Sequence, residues 1–343
     1  MNWSNRLCGD AQMRLLVTGG MGFIGSNFIR SIVASHNDAD IVNVDRLSYG
    51  SNPANLVAIE RTGRYRFVQG DINDIELLKN LTKDREAVVN FAAETHVDRS
   101  ITNPSTFHQS NTAGVVALLE VCRLRDLRLV QVSTDEVYGS APVEHAFSED
   151  DKLEPSSPYS ASKAAADLFV IASHKTYGLT TCIARSSNNF GPCQFPEKLI
   201  PKTIIRALFG LRVPVYGSGH QVRDWIYVKD NCEALKLILQ KGRQGEIYNV
   251  AGGNRLENLE VVEKVLHILQ KPRALIEHVE DRPGHDFRYS LNASKLEALG
   301  WRPIHHFDSA LAQTVAWYVE NESWWRLLIN DKVLSPVPWK ETW

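Results

Sequence analysis

Two adjacent carboxylates follow an apolar run in Ser133-Thr134-Asp135-Glu136-Val137-Tyr138-Gly139, and a short loop later comes Tyr159-Ser-Ala-Ser-Lys163. Paired carboxylates pack poorly but can serve two different proton transfers. A tyrosine and a lysine four residues apart at the start of a predicted helix share a face, so a nearby ammonium, together with a cofactor's charge, would lower the phenol pKa. A phenolate can take the proton of an alcohol while hydride leaves its carbon. The bland alternatives are a strand-end carboxylate capping a turn and an ordinary pair on a helix surface. The combination reads as an enzyme.

These groups need a scaffold, and the pattern supplies one. An apolar run at 14–18 leads through Gly19-Gly-Met-Gly22-Phe23-Ile24-Gly25 into apolar residues at helical spacing over 23–35. Further apolar runs lie at 41–44, 65–68, 87–92, 127–132 and 181–184, several of them separated by helical patterns. Alternation of this kind predicts an α/β fold, a Rossmann-type doubly wound parallel sheet with its ligand crevice at the carboxyl ends of the strands. Residues 13–187 are read as this dinucleotide-binding domain and residues 1–12 as an extension before it. Residues 188–343 are read mainly as a smaller C-terminal substrate-binding lobe, some segments of which return to the sheet.

The glycines have separable tasks. Gly19 permits a tight turn, Gly22 lets backbone approach a pyrophosphate at a helix N-terminus, and Gly25 allows close packing of helix on strand. Asp45, at the end of the second predicted strand, suits the ribose hydroxyls of NAD and repels a 2'-phosphate. Asp71-Ile72 is placed beside the adenine, with a helix N-cap as the alternative for Asp71, and Ala92-Ala93-Glu94-Thr95 on the path toward the nicotinamide.

Composition narrows the partners. With 38 Lys+Arg against 40 Asp+Glu in 343 residues, the charge of -2 favours neither nucleic acid nor an anionic membrane. The five cysteines are scattered without a Cys-x-x-Cys, which argues against disulfides or zinc and for a reducing cytoplasm. No secretory or membrane-spanning segment is read from the sequence. His305-His306 lacks ligand spacing, so no metal is expected. Residues 106–124 and 161–172 read as helices too apolar for a monomer surface, either deeply buried or forming a four-helix homodimer interface.

The motifs above, with residues 92–100 (Ala-Ala-Glu-Thr-His-Val-Asp-Arg-Ser), Arg185-Ser-Ser-Asn-Asn-Phe-Gly-Pro192, Pro196-Glu-Lys-Leu-Ile-Pro201, Arg223-Asp-Trp-Ile-Tyr-Val and Asp281-Arg-Pro-Gly-His-Asp-Phe-Arg-Tyr289, resemble the extended short-chain dehydrogenase/reductases. Within these the chain is similar to the dTDP-glucose 4,6-dehydratases over about residues 13–320. The resemblance implies NAD-dependent oxidation of the sugar at C4, loss of water across C5 and C6, and return of the hydride to C6. Thr134 and Tyr159 would polarise the C4 oxygen, with Lys163 beside them. Glu136 would take the C5 proton and Asp135 protonate the departing C6 hydroxyl. Ser110, Ser133 and Asn189 join the cofactor set. Asn188, Lys198, Leu199, Pro214, Tyr216, Arg223, Asn258, Arg282 and His285 would hold the nucleotide diphosphate and base, and His96 the hexose.

Two departures stand out, Met21 for a small residue in the glycine loop and Ser110 for threonine. The same machinery with another nucleotide, a UDP-glucose 4,6-dehydratase, is the nearest competing reading. More distant ones are a UDP-sugar 4-epimerase and a non-catalytic NAD-binding protein. Asp135 is the discriminating residue, because an epimerase has no use for an acid that expels water, and in GDP-mannose 4,6-dehydratases this position is typically serine.

Overall fold

Bounded by glycine and buried along its length, Arg14–Thr18 forms strand β1, and the helical spacing after the glycine turn produces helix α1 (Phe23–Ser35). The structure, a computed structural model, describes residues 13–342, so the expected extension at 1–12 lies outside the described residues. The chain continues through β2 (Asp40–Asp45), α2 (Val57–Glu60), β3 (Tyr65–Gln69), α3 (Ile75–Leu81), β4 (Ala87–Asn90), α4 (Val97–Thr102), α5 (Pro104–Phe107), α6 (Gly114–Arg125), β5 (Arg128–Thr134), α7 (Pro158–Tyr177) and β6 (Thr181–Ser186). After these come β7 (Asn188–Phe190), α8 (Leu199–Leu208), β8 (Val213–Tyr216), β9 (Val222–Tyr227), α9 (Val228–Lys241), β10 (Ile247–Val250), β11 (Asn254–Glu257), α10 (Asn258–Ile268), β12 (Ile276–Val279), α11 (Ser294–Glu297), α12 (Phe307–Glu320) and α13 (Glu322–Arg326).

Seven parallel strands form the central sheet in the order β10-β6-β5-β4-β1-β2-β3. This is the doubly wound fold of a Rossmann domain, and strand order reverses between β1 and β4, where the crevice must open. One face is covered by α1 and α9, whose Phe28, Ile32, Leu235 and Ile238 pack under the sheet. The other is covered by α3, α6 and α7 through residues such as Leu78, Leu118 and Val170. Segment 228–250 therefore returns to the sheet, with Ile247 opposite Ile183. The remaining C-terminal strands make two small sheets, β11-β9-β7 and β12-β8, over a core that includes Phe190, Trp225 and Phe307.

Met21 is fully buried in the core cluster that holds α1, so its bulk does not crowd the crevice. His305 donates to or accepts from Asp230 Oδ1 at 2.7 Å, a loop contact. Among the described residues no helix is long and apolar enough to cross a membrane.

The continuous helix expected over 106–124 is broken. Residues His108–Ala113 wind as a π-helix between α5 and α6. The reason lies in Asn111, which is buried and saturates its amide across the crevice: Oδ1 accepts from the Glu94 N–H (2.8 Å), while Nδ2 donates to the Glu94 carbonyl (3.0 Å) and to Ser162 Oγ (2.9 Å). An added residue in one turn brings that amide to the loop after β4. Nor are the two apolar helices buried all round. Val115, Leu118, Leu119 and Val121 are buried, whereas Val116 (38 %), Leu168 (57 %) and Phe169 (47 %) are exposed.

Candidate active site

Gly19 sits at φ 70° and a Cβ there would lie 2.5 Å from the Ala92 backbone nitrogen, so β1 and the strand beside it close only around glycine. Gly25 packs against the same turn, where a Cβ would come within 2.6 Å of the Gly19 carbonyl. Gly22 caps α1 with no side chain, and a Cβ there would meet only the Gly19 carbonyl, at 3.3 Å. The first turn of a long helix is thus presented to a cleft of about 280 Å³.

The whole expected cofactor set lines that cleft: Gly19, Gly22, Phe23, Ile24, Gly25, Asp45, Asp71, Ile72, Ala92, Ala93, Thr95, Ser110, Ser133, Tyr159, Lys163 and Asn189. Asp45 is fixed at the end of β2 by the N–H groups of Met21 (3.0 Å) and Leu47 (2.8 Å) and by Ser51 Oγ (2.9 Å). Asp71 is no helix N-cap, since Asp74 caps α3; it instead turns the chain through the Asn73 N–H (2.9 Å) and pairs with Arg46 (3.3 Å). Ser110 Oγ, Ser133 Oγ and Asn189 Oδ1 are buried polar atoms with no protein partner. Buried polar groups rarely stay unpaired. A glycine cradle, a ribose-type carboxylate and unsatisfied hydroxyls together fit a dinucleotide.

Catalytic candidates converge at the inner end. β5 delivers Thr134, and a 3-10 turn over Asp135–Tyr138 carries the carboxylates, its start capped by Thr134 Oγ1 accepting from the Glu136 N–H (3.3 Å). Gly139 ends the turn at φ 77°, where a Cβ would lie 2.3 Å from the Glu154 carbonyl. Behind the turn, Arg185 donates to the Tyr138 hydroxyl (2.7 Å) and to Asp167 Oδ2 (2.9 Å), and Tyr138 donates to Asn249 Oδ1 (2.9 Å). The turn is thereby tied to α7, β6 and β10. On the opposite wall, Pro158 and a Ser157/Ser160 capping box start α7, which sets Tyr159 at its second residue.

Burial and the Glu136 and Asp224 charges hold the Asp135 carboxyl well above the usual carboxylate range, and burial also raises Glu136 against the opposing pull of Arg282, Arg223 and Lys198. The phenol departs from expectation. Burial and the Glu136 charge push Tyr159 up, with a Thr134 hydrogen bond opposing them, because Lys163 turns its ammonium to the Val132 carbonyl (2.7 Å). Burial brings Lys163 itself down to about 8.

A second cavity of about 170 Å³ opens beside the first and shares Thr95, His96, Glu136, Asn188, Glu197 and Lys198 with it. It gathers the rest of the expected substrate set, Leu199, Pro214, Tyr216, Arg223, Asn258, Arg282 and His285. Lys198, Lys202, Arg223 and Arg282 face Asp98, Glu136 and Glu197 there, one cation in excess. Arg223 stacks 4.2 Å over the Tyr289 ring and donates to the Val222 and Asp286 carbonyls (both 2.8 Å). Arg282 pairs with Asp98 (2.9 Å) and keeps a buried Nε without a partner. Burial lowers His96 to about 4 and also lowers His285, so both rings are neutral at pH 7.

Sequence reading passed over Glu197, Lys202 and Tyr289. Glu197 is buried at the junction, 3.1 Å from His96 Nδ1, and His96 keeps its carboxyl low against the cost of burial. Lys202 stands one helical turn after Lys198, a spacing that pointed to it. Tyr289 sat inside a quoted motif but carried no separable signal.

Comparison with known proteins decides the family. The model of the family described as GDP-mannose 4,6 dehydratase matches residues 16–314. A dTDP-glucose 4,6-dehydratase of Streptomyces niveus is 45% identical over 322 residues, 92% of this chain and 96% of its own. One from Xanthomonas campestris pv. campestris strain B100 is 47% identical over 331 residues, 90% of this chain and 94% of its own. The chain belongs to the dTDP-glucose 4,6-dehydratase family. A crystal structure of a dTDP-glucose 4,6-dehydratase from Streptomyces venezuelae with NAD bound superposes with a TM-score of 0.91 at 46% identity, covering 92% of this chain and all (100%) of that one. A UDP-glucose 4-epimerase from Thermus thermophilus in complex with NAD has the same fold at 31% identity, with a TM-score of 0.84 over 90% of this chain and 100% of that one. The dTDP-glucose 4,6-dehydratase family and its epimerase neighbours thus share a scaffold, and the difference must lie in the reacting groups.

Proposed function

We propose that the protein is an NAD-dependent dTDP-glucose 4,6-dehydratase, a hydro-lyase that forms dTDP-4-keto-6-deoxyglucose. The observation that carries this reading is the buried Asp135/Glu136 pair at the junction of the dinucleotide cleft and the second cavity. Ketone formation alone needs one proton acceptor, and a second acid is useful only where a hydroxyl must leave as water. NAD, when bound, supplies the oxidant at C4 of the sugar and returns the hydride at C6.

The chain's own residues do the proton work. Tyr159 takes the C4 hydroxyl proton and Thr134 hydrogen-bonds the C4 oxygen. Glu136, whose raised pKa makes it a stronger base, removes the C5 proton that the neighbouring ketone has made acidic. Asp135, held protonated by burial and by the Glu136 charge, donates to the C6 hydroxyl as the C–O bond breaks. Gly22 and the start of α1 hold the pyrophosphate, Asp45 the adenosine ribose, and Ser110, Ser133, Lys163 and Asn189 the nicotinamide half. Arg223, Arg282, Lys198 and Asn188 hold the substrate diphosphate, and His96 the hexose.

This division of labour supports a dinucleotide half at 13–187 and a mainly substrate-binding half at 188–343 that lends α9 and β10 to the first. The four described cysteines are free and buried, in keeping with a reducing cytoplasm. Exposed Val116, Leu168 and Phe169 on α6 and α7 support pairing with a second copy through these helices. Sedimentation equilibrium at twice the chain mass is the expected result, and a monomer that persists at high concentration refutes it.

The reading is tested by incubating purified protein with dTDP-glucose or UDP-glucose, without added reductant, and assaying for a 4-keto-6-deoxy product. Product is expected from dTDP-glucose alone. Equal or better conversion of UDP-glucose would transfer the assignment to that nucleotide, and no product from either would remove the dehydratase reading.

A further inference from the structure

The second cavity is walled in part by the far end of the chain. Beyond α13, residues 333–341 run back across α8 and α4. Lys202 Nζ, from the cavity wall, donates to the Ser335 carbonyl (3.1 Å), and Arg206 Nη1 donates to that of Leu334 (2.6 Å). Ser335 Oγ closes the segment on Glu341 (2.8 Å), and Lys340 pairs with Glu280 (2.5 Å), two residues before Arg282. Trp339 is pressed inward and is only 6 % exposed. Its indole meets the Tyr216 ring nearly edge-on, at 4.7 Å and 81°.

Tyr216 is where this packing reaches the cavity. Its hydroxyl donates to Asp98 Oδ2 (3.0 Å), and the other oxygen of Asp98 accepts from Arg282 Nη1 (2.9 Å). The relay runs from Trp339 through Tyr216 and Asp98 to Arg282, whose buried Nε has no partner in the protein. A guanidinium fixed on one edge by a carboxylate presents its remaining donors in one direction, which is what a diphosphate oxygen needs. Removing the indole would admit water beside the Tyr216–Asp98 hydrogen bond and free the Arg282 fork to turn.

We propose that the C-terminal strap of residues 333–341 is a working part of the nucleotide site, with Trp339 a positioning residue that holds Arg282 toward the substrate diphosphate by way of Tyr216 and Asp98. The proposal rests on the reading of the second cavity as the nucleotide-diphosphate site.

Calorimetric binding of dTDP to the full chain, with and without Trp339→Ala, Trp339→Phe, Tyr216→Phe and the Trp339→Ala/Tyr216→Phe pair, tests it. Trp339→Ala is expected to weaken dTDP binding and raise KM for dTDP-glucose by about tenfold, the scale of one charge-assisted hydrogen bond. NAD affinity and kcat at saturation should stay within about twofold, because the relay does not reach the dinucleotide cleft. Trp339→Phe should restore most of the binding, and the double variant should lose no more than the worse single one. Unchanged dTDP binding in Trp339→Ala overturns the proposal, as do additive losses in the pair or an equal loss of NAD affinity. Failure of the wild type to convert dTDP-glucose, with the binding ratio still near ten, would remove the dehydratase reading and leave the strap in place. A wild type that binds no dTDP would remove the strap proposal as well.

Discussion

Tyr159→Phe is expected to lower kcat on dTDP-glucose by about 10³-fold, within the range for loss of a positioned general base. The substitution removes one oxygen and little else. The ring keeps its edge-on contact with Phe107, at 6.3 Å and 80°, and the capping box that starts α7 does not involve it. Stability and dTDP affinity should therefore be close to wild type, and the loss should fall on the chemical step. Tyr159 lines the dinucleotide cleft together with Thr134, so the phenol is the group placed to receive the C4 proton. Its pKa is raised in the protein alone, so the group arrives protonated and its activation depends on charge brought into the cleft with the ligands. Rapid-quench mass spectrometry of the sugar should show neither ketone nor dehydrated product building up. A variant turning over within tenfold of wild type would exclude Tyr159 as the base.

Asp135→Asn should separate the two halves of the reaction. Asparagine preserves size and hydrogen-bonding capacity but cannot release a proton to a leaving hydroxyl. Water loss is expected to slow by about 10²-fold or more, with C4 oxidation much less affected. Run in D2O, the variant should still exchange the C5 proton through Glu136 while the C6 hydroxyl stays in place. The protonated state being replaced is the one the site favours. Burial comes first among the causes that raise Asp135, then the charges of Glu136 and Asp224, and Arg223 only partly opposes them. Asp224 is itself raised to about 6 by burial in β9, where Asp224 lies opposite Arg255 in the strand pairing. Dehydration at the wild-type rate in Asp135→Asn would assign the acid elsewhere.

Much of this site was legible because local chemistry marks it. The glycine turn, Asp45 after β2, the carboxylate pair after β5 and the Tyr159/Lys163 spacing each lie within one strand-to-helix transition, where periodicity and residue type suffice. What stayed hidden depends on distant chain segments. Nothing local to Glu197 says that it meets His96, and nothing around Asn111 says that its amide closes on the Glu94 backbone, so the π-helix at 108–113 read as ordinary helix. The direction of Lys163 was equally out of reach. Four-residue spacing fixes the face of the helix, but the strand carbonyl of Val132 decides where the ammonium ends. Arg223 reads as a free cation until the structure shows two of its donors committed to main-chain carbonyls.

The π-helical turn also acts as a gear between the inside and the outside of the molecule. Each residue of an α-helix advances about 100° around the axis. Deleting one residue between His108 and Ala113 would restore regular winding and swing everything after it by roughly that angle. Ser110 faces the dinucleotide cleft, and Val116 faces outward on the same continuous rod. A length change there cannot retune the cleft alone, since the same rotation would turn the exposed apolar stripe of α6 away from its present bearing. Length in this turn is thus constrained from two directions at once, and drift is expected by substitution, not by insertion or deletion.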